Sequence, residues 1–251
     1  MMIDFHTHII PNIDDGSRNV NETFNLINEA YDAGFNKIIS TSHYLKGKYE
    51  MQEKDRRILL NAIRQKVKSE TPEMEFYLGS EIFISHNMVD FLIEKKASTI
   101  NNTSYVLFEL PMEKNVIFLK EILFKLAEYG YKPIIAHPER YKFFQKNPND
   151  LIELIEMGVL FQSNFGSLIG IYGKEAKKTV KRLLQANMVH FLGSDVHREN
   201  SIYKRMPEIL KILKDIISER EIEELTTTNA EYILNDEEIE IESPKKIKFL
   251  F

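Results

Sequence analysis

The 251-residue chain is predicted to be an α/β protein whose parallel strands and crossover helices close, or nearly close, into a TIM-like barrel. Three observations predict it. Strand-like and helix-like stretches alternate along most of the sequence. The strand candidates number seven, a set that suits a barrel. Imidazole or carboxylate side chains follow nearly every one of them, at the end where barrels of this class carry their chemistry.

Residues 3–8 read as a short buried strand, and its alternation puts His6 and His8 on one face, able to reach a single metal ion. Residues 19–34 read as a helix, with Asn21 as its cap, an apolar stripe of Phe24, Leu26, Ile27, Ala30 and Tyr31, and Gly34 as its stop. Residues 37–40 form a strand running into Thr41-Ser42-His43. A helix over about residues 54–68, bounded by Pro72, precedes a strand over residues 76–81 that ends in Glu81.

The pattern then repeats. Strand 105–108 runs into Glu109, a helix covers about residues 116–129, and strand 133–136 runs into His137. Helix 149–157, strand 159–162 and helix 174–186 follow, and strand 189–192 delivers Gly193-Ser194-Asp195-Val196-His197. A helix over about residues 202–217, a helical stretch over 220–234 and an irregular tail from about Asn235 complete the chain. With 43% apolar residues, no fixed-period repeat, no low-complexity tract and no interdomain linker, residues 1–251 are expected to form a single domain.

Composition excludes several function classes. A formal charge of −5 supplies no broad basic field, which argues against nucleic acid as a partner. The absence of cysteine removes disulfides, thiolate zinc sites and cysteine nucleophiles. No basic stretch followed by an apolar signal core opens the sequence, and no apolar run approaches the ~18 residues of a transmembrane helix. A cytoplasmic protein is expected.

Three clusters carry the chemistry: His6-x-His8 with Asp15, Glu81 and Glu109 with His137, and Asp195-x-His197 with His43. Five of the seven histidines fall in this set. Imidazole and carboxylate donors without thiolates suit Mn, Fe or Zn, and a carboxylate such as Glu81 can bridge two ions around a water that becomes the nucleophile. A single histidine at a strand end is more often a hydrogen-bonded structural residue. For the whole set that alternative fails, because uncompensated carboxylates gathered at one mouth repel one another and cations are the ready solution.

Arg140 follows His137 closely enough to enter the same mouth, where a guanidinium can hold phosphate oxygens through paired hydrogen bonds; its alternative is a salt bridge to Glu139. His86 and His190 match no motif, and His190, inside a strand, reads as structural. Gly166-Ser167, Gly170 and Gly173 fit either an anion-binding set of backbone N–H groups or a plain turn before the helix that starts at Lys174.

Taken together, the motifs Ile3-Asp4-Phe5-His6-Thr7-His8-Ile9-Ile10-Pro11 with Asp14-Asp15-Gly16, Thr41-Ser42-His43, Gly79-Ser80-Glu81, Phe108-Glu109, His137-Pro138-Glu139-Arg140 and Ser194-Asp195-Val196-His197 are recognisable. The chain resembles the PHP (polymerase and histidinol phosphatase) superfamily and, within it, the CpsB/YwqE-type bacterial protein-tyrosine phosphatases associated with capsule and exopolysaccharide synthesis. The resemblance implies a distorted (β/α)7 barrel, the PHP fold, and a trinuclear manganese site, with Fe or Zn as other occupants. Carried over by position, His6, His8, Glu81 and Asp195 would serve one Mn2+, Glu81, Glu109 and His137 a second, and Asp15, His43 and His197 a third.

The family pattern has an arginine five residues after the histidine of Ser-Asp-x-His; here that position is Ile202, which leaves Arg198 and Arg205 as substitutes. The implied reaction is hydrolysis of phosphotyrosine by metal-activated water without a covalent enzyme intermediate, and the implied partner is a tyrosine-phosphorylated protein, a membrane-associated bacterial tyrosine kinase. The rival readings are a phosphoesterase for a small metabolite such as histidinol phosphate and a non-catalytic binding module. Tyr44, Phe143 and Phe144 lie close in sequence to the ligands, where they would pack on the substrate ring or in the core. Three lysines in the tail, Lys245, Lys246 and Lys248, beside the apolar end 249–251, allow at most weak contact with an anionic membrane, against a tail simply docked on the barrel.

Overall fold

In the computed structural model, which describes residues 1–68, 71 and 73–248, parallel strands follow one another around a ring. One sheet pairs β1 (Met2–Thr7), β2 (Phe35–Ser40) and β4 (Glu75–Leu78); the other runs β3 (His43–Tyr44), β5 (Glu81–Phe83), β6 (Tyr105–Glu109), β7 (Lys132–Ala136), β8 (Leu160–Asn164) and β9 (Phe191–Gly193). All pairings are parallel. β9 returns to β1 through a parallel bridge between Thr7 and Val196, with the Asp195 N–H donating to the His6 carbonyl at 2.8 Å and the His8 N–H to the Val196 carbonyl at 3.1 Å.

The seven expected strands are present, and two of them are split. β2 and β3 are halves of one stave interrupted at Thr41-Ser42, and β4 and β5 are halves of the next, interrupted at Gly79-Ser80. The ladder carries on across both gaps: the Gly79 N–H donates to the Ser40 carbonyl and the Glu81 N–H to the Thr41 carbonyl, each at 2.8 Å. Arg56, from the helix Glu53–Val67, is fully buried behind them. Its guanidinium donates to Ser80 Oγ at 2.7 Å, to the Ser42 carbonyl at 3.4 Å and to the Lys96 carbonyl at 3.1 Å, and burial lowers its pKa to about 10. A side chain from the crossover helix thus bends two neighbouring staves where His43 and Glu81 leave them.

Several element ends differ from the sequence expectation. The first helix, Val20–Asp32, is capped by Asn19, whose extended backbone lets its side chain accept the Glu22 N–H at 3.0 Å, while Asn21 already lies inside the first turn. Gly34 ends this segment at φ +93°. The helix expected from residue 116 runs over Leu119–Glu128, because the Asn115 side chain takes the Val116 N–H at 2.8 Å and holds the preceding loop, leaving Ile117 98% exposed. Residues 202–217 divide into a 3-10 turn Tyr203–Arg205 and the helix Met206–Lys214, with Pro207 in its first turn. Residues 220–234 are helical, as the pieces Glu219–Glu223, a π-turn Glu224–Thr228 and Asn229–Leu234. Pro72 lies outside the described residues.

Apolar packing is organised in two clusters. The larger lies between strands and helices; the smaller gathers Ile3, Phe5, Leu107, Ile134 and Phe191 with Ala230 and Ile233 of the last helix. Phe5 and Phe191 stack at 4.2 Å and join β1 to β9. The tail is irregular and docked: Asn149 donates to and accepts from the Ile247 backbone at 3.0 and 2.8 Å, and the Lys245 N–H reaches the Ala186 carbonyl at 2.8 Å. Residues 249–251 lie outside the described ones, among which no helix is long and apolar enough to cross a membrane.

The β9–β1 seam leaves no room at Gly193, where a Cβ would stand 2.7 Å from His6 Cβ and 2.9 Å from the His6 backbone nitrogen. Gly193→Ala is therefore expected to cost about 1–3 kcal/mol through overpacking. Urea unfolding midpoints check this, and a variant as stable as the parent would show that the seam can yield.

Candidate metal centre

All nine residues singled out in the sequence arrive at one end of the ring. His6 and His8 come from the end of β1, Asp15 from the loop after it, His43 from β3, Glu81 from β5, Glu109 from β6, His137 from the residue after β7, and Asp195 and His197 from the segment after β9. They fall into three overlapping groups: His6, His8, Glu81 and Asp195; His8, Asp15, His43 and His197; and His43, Glu81 and Glu109, each with one donor atom per residue mutually within 4.8 Å. His137 joins through Nε2, 2.8 Å from Glu81 Oε1 and 3.9 Å from Glu109 Oε2. The grouping by distance thus puts His43, in place of His137, with the two glutamates and shares His8 between two sets.

Which nitrogen carries the proton follows from the partners. Gln162 donates its amide N–H to the Ser163 carbonyl and to Asn164 Oδ1, which turns its oxygen toward His6 Nδ1 at 2.7 Å. Asp14 accepts from His8 Nδ1 at 2.8 Å, and the Asp195 carbonyl accepts from His197 Nδ1 at 2.9 Å. With Nδ1 the donor in each ring, the neutral imidazoles of His6, His8 and His197 present Nε2 lone pairs. Those of His6 and His8 face each other at 3.1 Å, beside Glu81 Oε2 and Asp195 Oδ1 at 3.2–3.6 Å. Glu81 Oε2 is buried and has no hydrogen-bond donor. Converging lone pairs and carboxylate oxygens are the donor set of a divalent cation, and the residues present fit one.

The same crowding governs the proton equilibria. Burial and the charges of Glu81 and Asp195 push the Glu109 carboxyl well above its usual range. Burial opposes ionisation of Glu81 and Asp195 as well, yet His6 and the other imidazoles, when protonated, hold both well below theirs; a bound cation would supply that charge in place of the protons and leave the rings neutral. Burial, then the neighbouring Arg140 cation, lowers His137 to about 4. Two of these residues, His137 at φ +37° and Asp195 at φ +52°, sit in the left-handed region, a conformation that costs energy in a non-glycine residue and turns each side chain into the site.

A cavity of about 280 Å³ opens above the candidate ligands, walled by Leu45, Lys48, Tyr49, Phe83 and Arg140. Arg140 reaches Asp195 Oδ2 at 2.8 Å, and its guanidinium lies 4.3 Å over the Tyr172 ring. Glu139 faces away, accepting from the Asn164 N–H and Ser167 Oγ at 2.9 and 2.6 Å. Arg198 is turned onto the carbonyls of Asp15, Gly16 and His197, and Arg205 is paired with Glu208; neither lines the cavity. Ile202 is buried and packs close to Gly166. Tyr44 and Phe144 are core residues, and Phe143 lines a separate groove with Val116 and Ile117, so none of the three reaches this cavity. The N–H groups of Gly170 and Gly173 are spent on the Ser167 and Gly170 carbonyls, which makes this stretch a turn.

Among the residues that orient the candidate ligands, Gln162 and Asn164 carried no motif in the sequence, and Asp14 stood in one without being singled out. Asp14 holds His8 and also accepts the His43 and Gly16 N–H groups, both at 2.9 Å. Gln162 holds His6, and Asn164 donates to Asp195 Oδ2 at 2.7 Å. His190 serves the Phe161 N–H through Nδ1 at 3.0 Å, and the exposed His86 stacks on Phe118 at 4.0 Å.

A ring of parallel staves with imidazoles and carboxylates converging at the strand ends defines a barrel of the metal-assisted hydrolase class. Comparison with known proteins narrows this. The chain belongs to the CpsB/CapC family of capsular polysaccharide synthesis, whose family model matches residues 2–235. It is 31% identical to the tyrosine-protein phosphatase YwqE of Bacillus subtilis, over 98% of this chain and 97% of that one. It is 30% identical to the tyrosine-protein phosphatase CpsB of Streptococcus pneumoniae, over 94% and 99%. A crystal structure from work on YwqE of B. subtilis and CpsB of S. pneumoniae, described as unique metal-dependent tyrosine phosphatases, matches with a TM-score of 0.91 at 31% identity, over 99% of this chain and 100% of that one. Histidinol phosphate phosphatase from Lactococcus lactis shares the fold, with a TM-score of 0.54 at 15% identity over 86% and 93%.

Gln162→Leu, which removes the acceptor that fixes His6, is expected to weaken metal affinity about 10- to 100-fold. Competition titration against a calibrated chelator measures it. His190→Ala serves as the control, expected to leave metal affinity unchanged in the folded protein; equal losses in both would remove the special role of Gln162.

Proposed function

We infer that the chain is a metal-dependent protein-tyrosine phosphatase, a phosphoric monoester hydrolase. The observation that carries this is the convergence of Nδ1-anchored imidazoles and buried carboxylates beneath a cavity edged by Arg140, in a chain that aligns over nearly its whole length with proteins named tyrosine phosphatases. The ions we assign to it are three Mn2+, with Fe or Zn as other occupants of an oxygen and nitrogen donor set. The substrate we assign is a tyrosine-phosphorylated protein; the capsule context of the family supports a membrane-associated bacterial tyrosine kinase in that role, acted on in the cytoplasm.

When bound, the ions activate water and withdraw charge from the phosphoryl oxygens. The chain's own residues do the rest. Arg140 keeps N–H donors beyond the one given to Asp195, and the Tyr172 ring fixes its plane, so a phosphoryl group can be held through paired hydrogen bonds. Phe83 and Leu45 offer apolar wall to an aryl ring. Arg198 and Arg205, both exposed and bonded elsewhere, leave Arg140 as the arginine on which we place the phosphate role. A departing phenolate, with a conjugate acid near pKa ~10, needs far less protonation than a serine alkoxide.

A strong chelator is expected to abolish phosphatase activity and Mn²⁺ to restore it, while His6→Ala, Glu81→Ala or Asp195→Ala each lower kcat by several orders of magnitude. Full activity after metal stripping would refute the assignment. kcat/KM for a phosphotyrosine peptide should exceed that for the matching phosphoserine peptide at least tenfold, about 1.4 kcal/mol of barrier. Histidinol phosphate outpacing both peptides would instead identify a small-metabolite phosphatase.

A further inference from the structure

Lys48 is the second cation on the wall of the cavity, and its side-chain partner is the neutral Tyr49. It sits in the tight turn 45–49, shortly after His43, closed by the Leu45 N–H on the Tyr49 carbonyl at 2.9 Å and by the Tyr49 and Lys48 N–H groups on the Leu45 carbonyl at 2.8 and 3.0 Å. Gly47, at φ +85°, makes this turn possible. The Lys48 ammonium lies 4.5 Å from the centroid of the Tyr49 ring, and that ring lies parallel to the His43 ring at 5.8 Å and 12°. Among the described residues no carboxylate comes within ion-pair distance of Lys48. Arg140, by contrast, already spends one N–H on Asp195.

A phosphate monoester brings a charge near −2 at neutral pH into a mouth lined by Asp15, Glu81, Glu109 and Asp195. A cation with no carboxylate partner, held at the Tyr49 side chain beside His43, meets that charge without first breaking an ion pair. We propose that Lys48 is a substrate-binding residue whose ammonium pairs with a non-bridging phosphoryl oxygen from the His43 side, as Arg140 does from the His137 side. The proposal rests on the phosphatase reading and names a recognition residue within it. Because the ammonium is solvent-exposed, its contribution is to affinity and to attraction of the dianion, and salt screens it.

The test uses the full-length, Mn²⁺-loaded protein and its Lys48→Met and Lys48→Arg variants. KM and kcat are measured for p-nitrophenyl phosphate and for phosphotyrosine peptides with neutral and with acidic flanks, together with inhibition by inorganic phosphate. Lys48→Met is expected to raise KM for p-nitrophenyl phosphate and the inhibition constant for phosphate about threefold to tenfold, the range of one exposed charge contact. kcat should stay within about twofold, metal content should be unchanged, Lys48→Arg should recover most of the loss, and about 0.5 M salt should narrow the gap. Unchanged KM and phosphate inhibition in Lys48→Met would overturn the proposal. So would a loss confined to acidic-flanked peptides, which would make Lys48 a reader of the protein partner instead of the phosphoryl group. A parent protein that neither binds phosphate nor hydrolyses any aryl phosphate would refute the phosphatase reading itself, an outcome distinct from either.

Discussion

Negative charge and nitrogen lone pairs crowded at the strand ends are the constraint to which the rest of the molecule answers. Glu81 and Asp195 are buried within 3.6 Å of two imidazole nitrogens that themselves face each other, an arrangement that no pair of neutral hydrogen bonds can satisfy. Such a cluster holds its shape only if the surrounding chain prevents the side chains from swinging apart. Asp14, Gln162 and Asn164 do this directly, and Asp4 does it one step further back by taking the Ser194 N–H and the Tyr203 hydroxyl, both at 2.8 Å. The split staves belong to the same solution. An unbroken strand would send alternate residues to opposite faces at a fixed rise, whereas the interruptions tied by Arg56 let His43 and Glu81 leave their staves where the cluster needs them.

Much of the architecture was legible because a buried parallel strand writes itself as an apolar run and its end is marked by the residue that does chemistry. Ile38-Ile39 before His43, Val106-Leu107-Phe108 before Glu109 and Ile134-Ile135 before His137 are all of this kind. The breaks at Thr41-Ser42 and Gly79-Ser80 were not legible, since what ties them is the guanidinium of Arg56, a residue of the intervening helix that carries no mark of this role in the sequence. The cap of the first helix slipped by two residues for a local reason: Asn19 and Asn21 are equivalent as letters, and only the backbone angle at the helix entrance chooses between them.

At the site, the candidate ligands stood in compact motifs, while Gln162 and Asn164, which orient two of them, did not. Asp14 was visible beside Asp15, yet which of two adjacent carboxylates turns inward depends on the path of the loop through Gly16, whose backbone passes so close to His8 that a Cβ there would collide with it. The arginines show the same limit. Proximity to His197 in sequence says nothing about the nearby carbonyls that take up the Arg198 guanidinium. Tyr44 and Phe144, aromatic and near ligands, were equally readable as wall or as core, and packing assigns both to the core.

The anchoring of the three Nδ1 atoms has a consequence for how the protein lives with its ions. Gln162, Asp14 and the Asp195 carbonyl are ordinary protein groups, so ring orientation and tautomer are set by the fold and are in place before any ion arrives. A frame of imidazole and carboxylate without thiolate accepts several first-row divalent ions, and their intrinsic affinities do not favour manganese. Raw affinity therefore does not choose manganese here; a preset donor geometry and the supply of each ion together would set which one fills the frame.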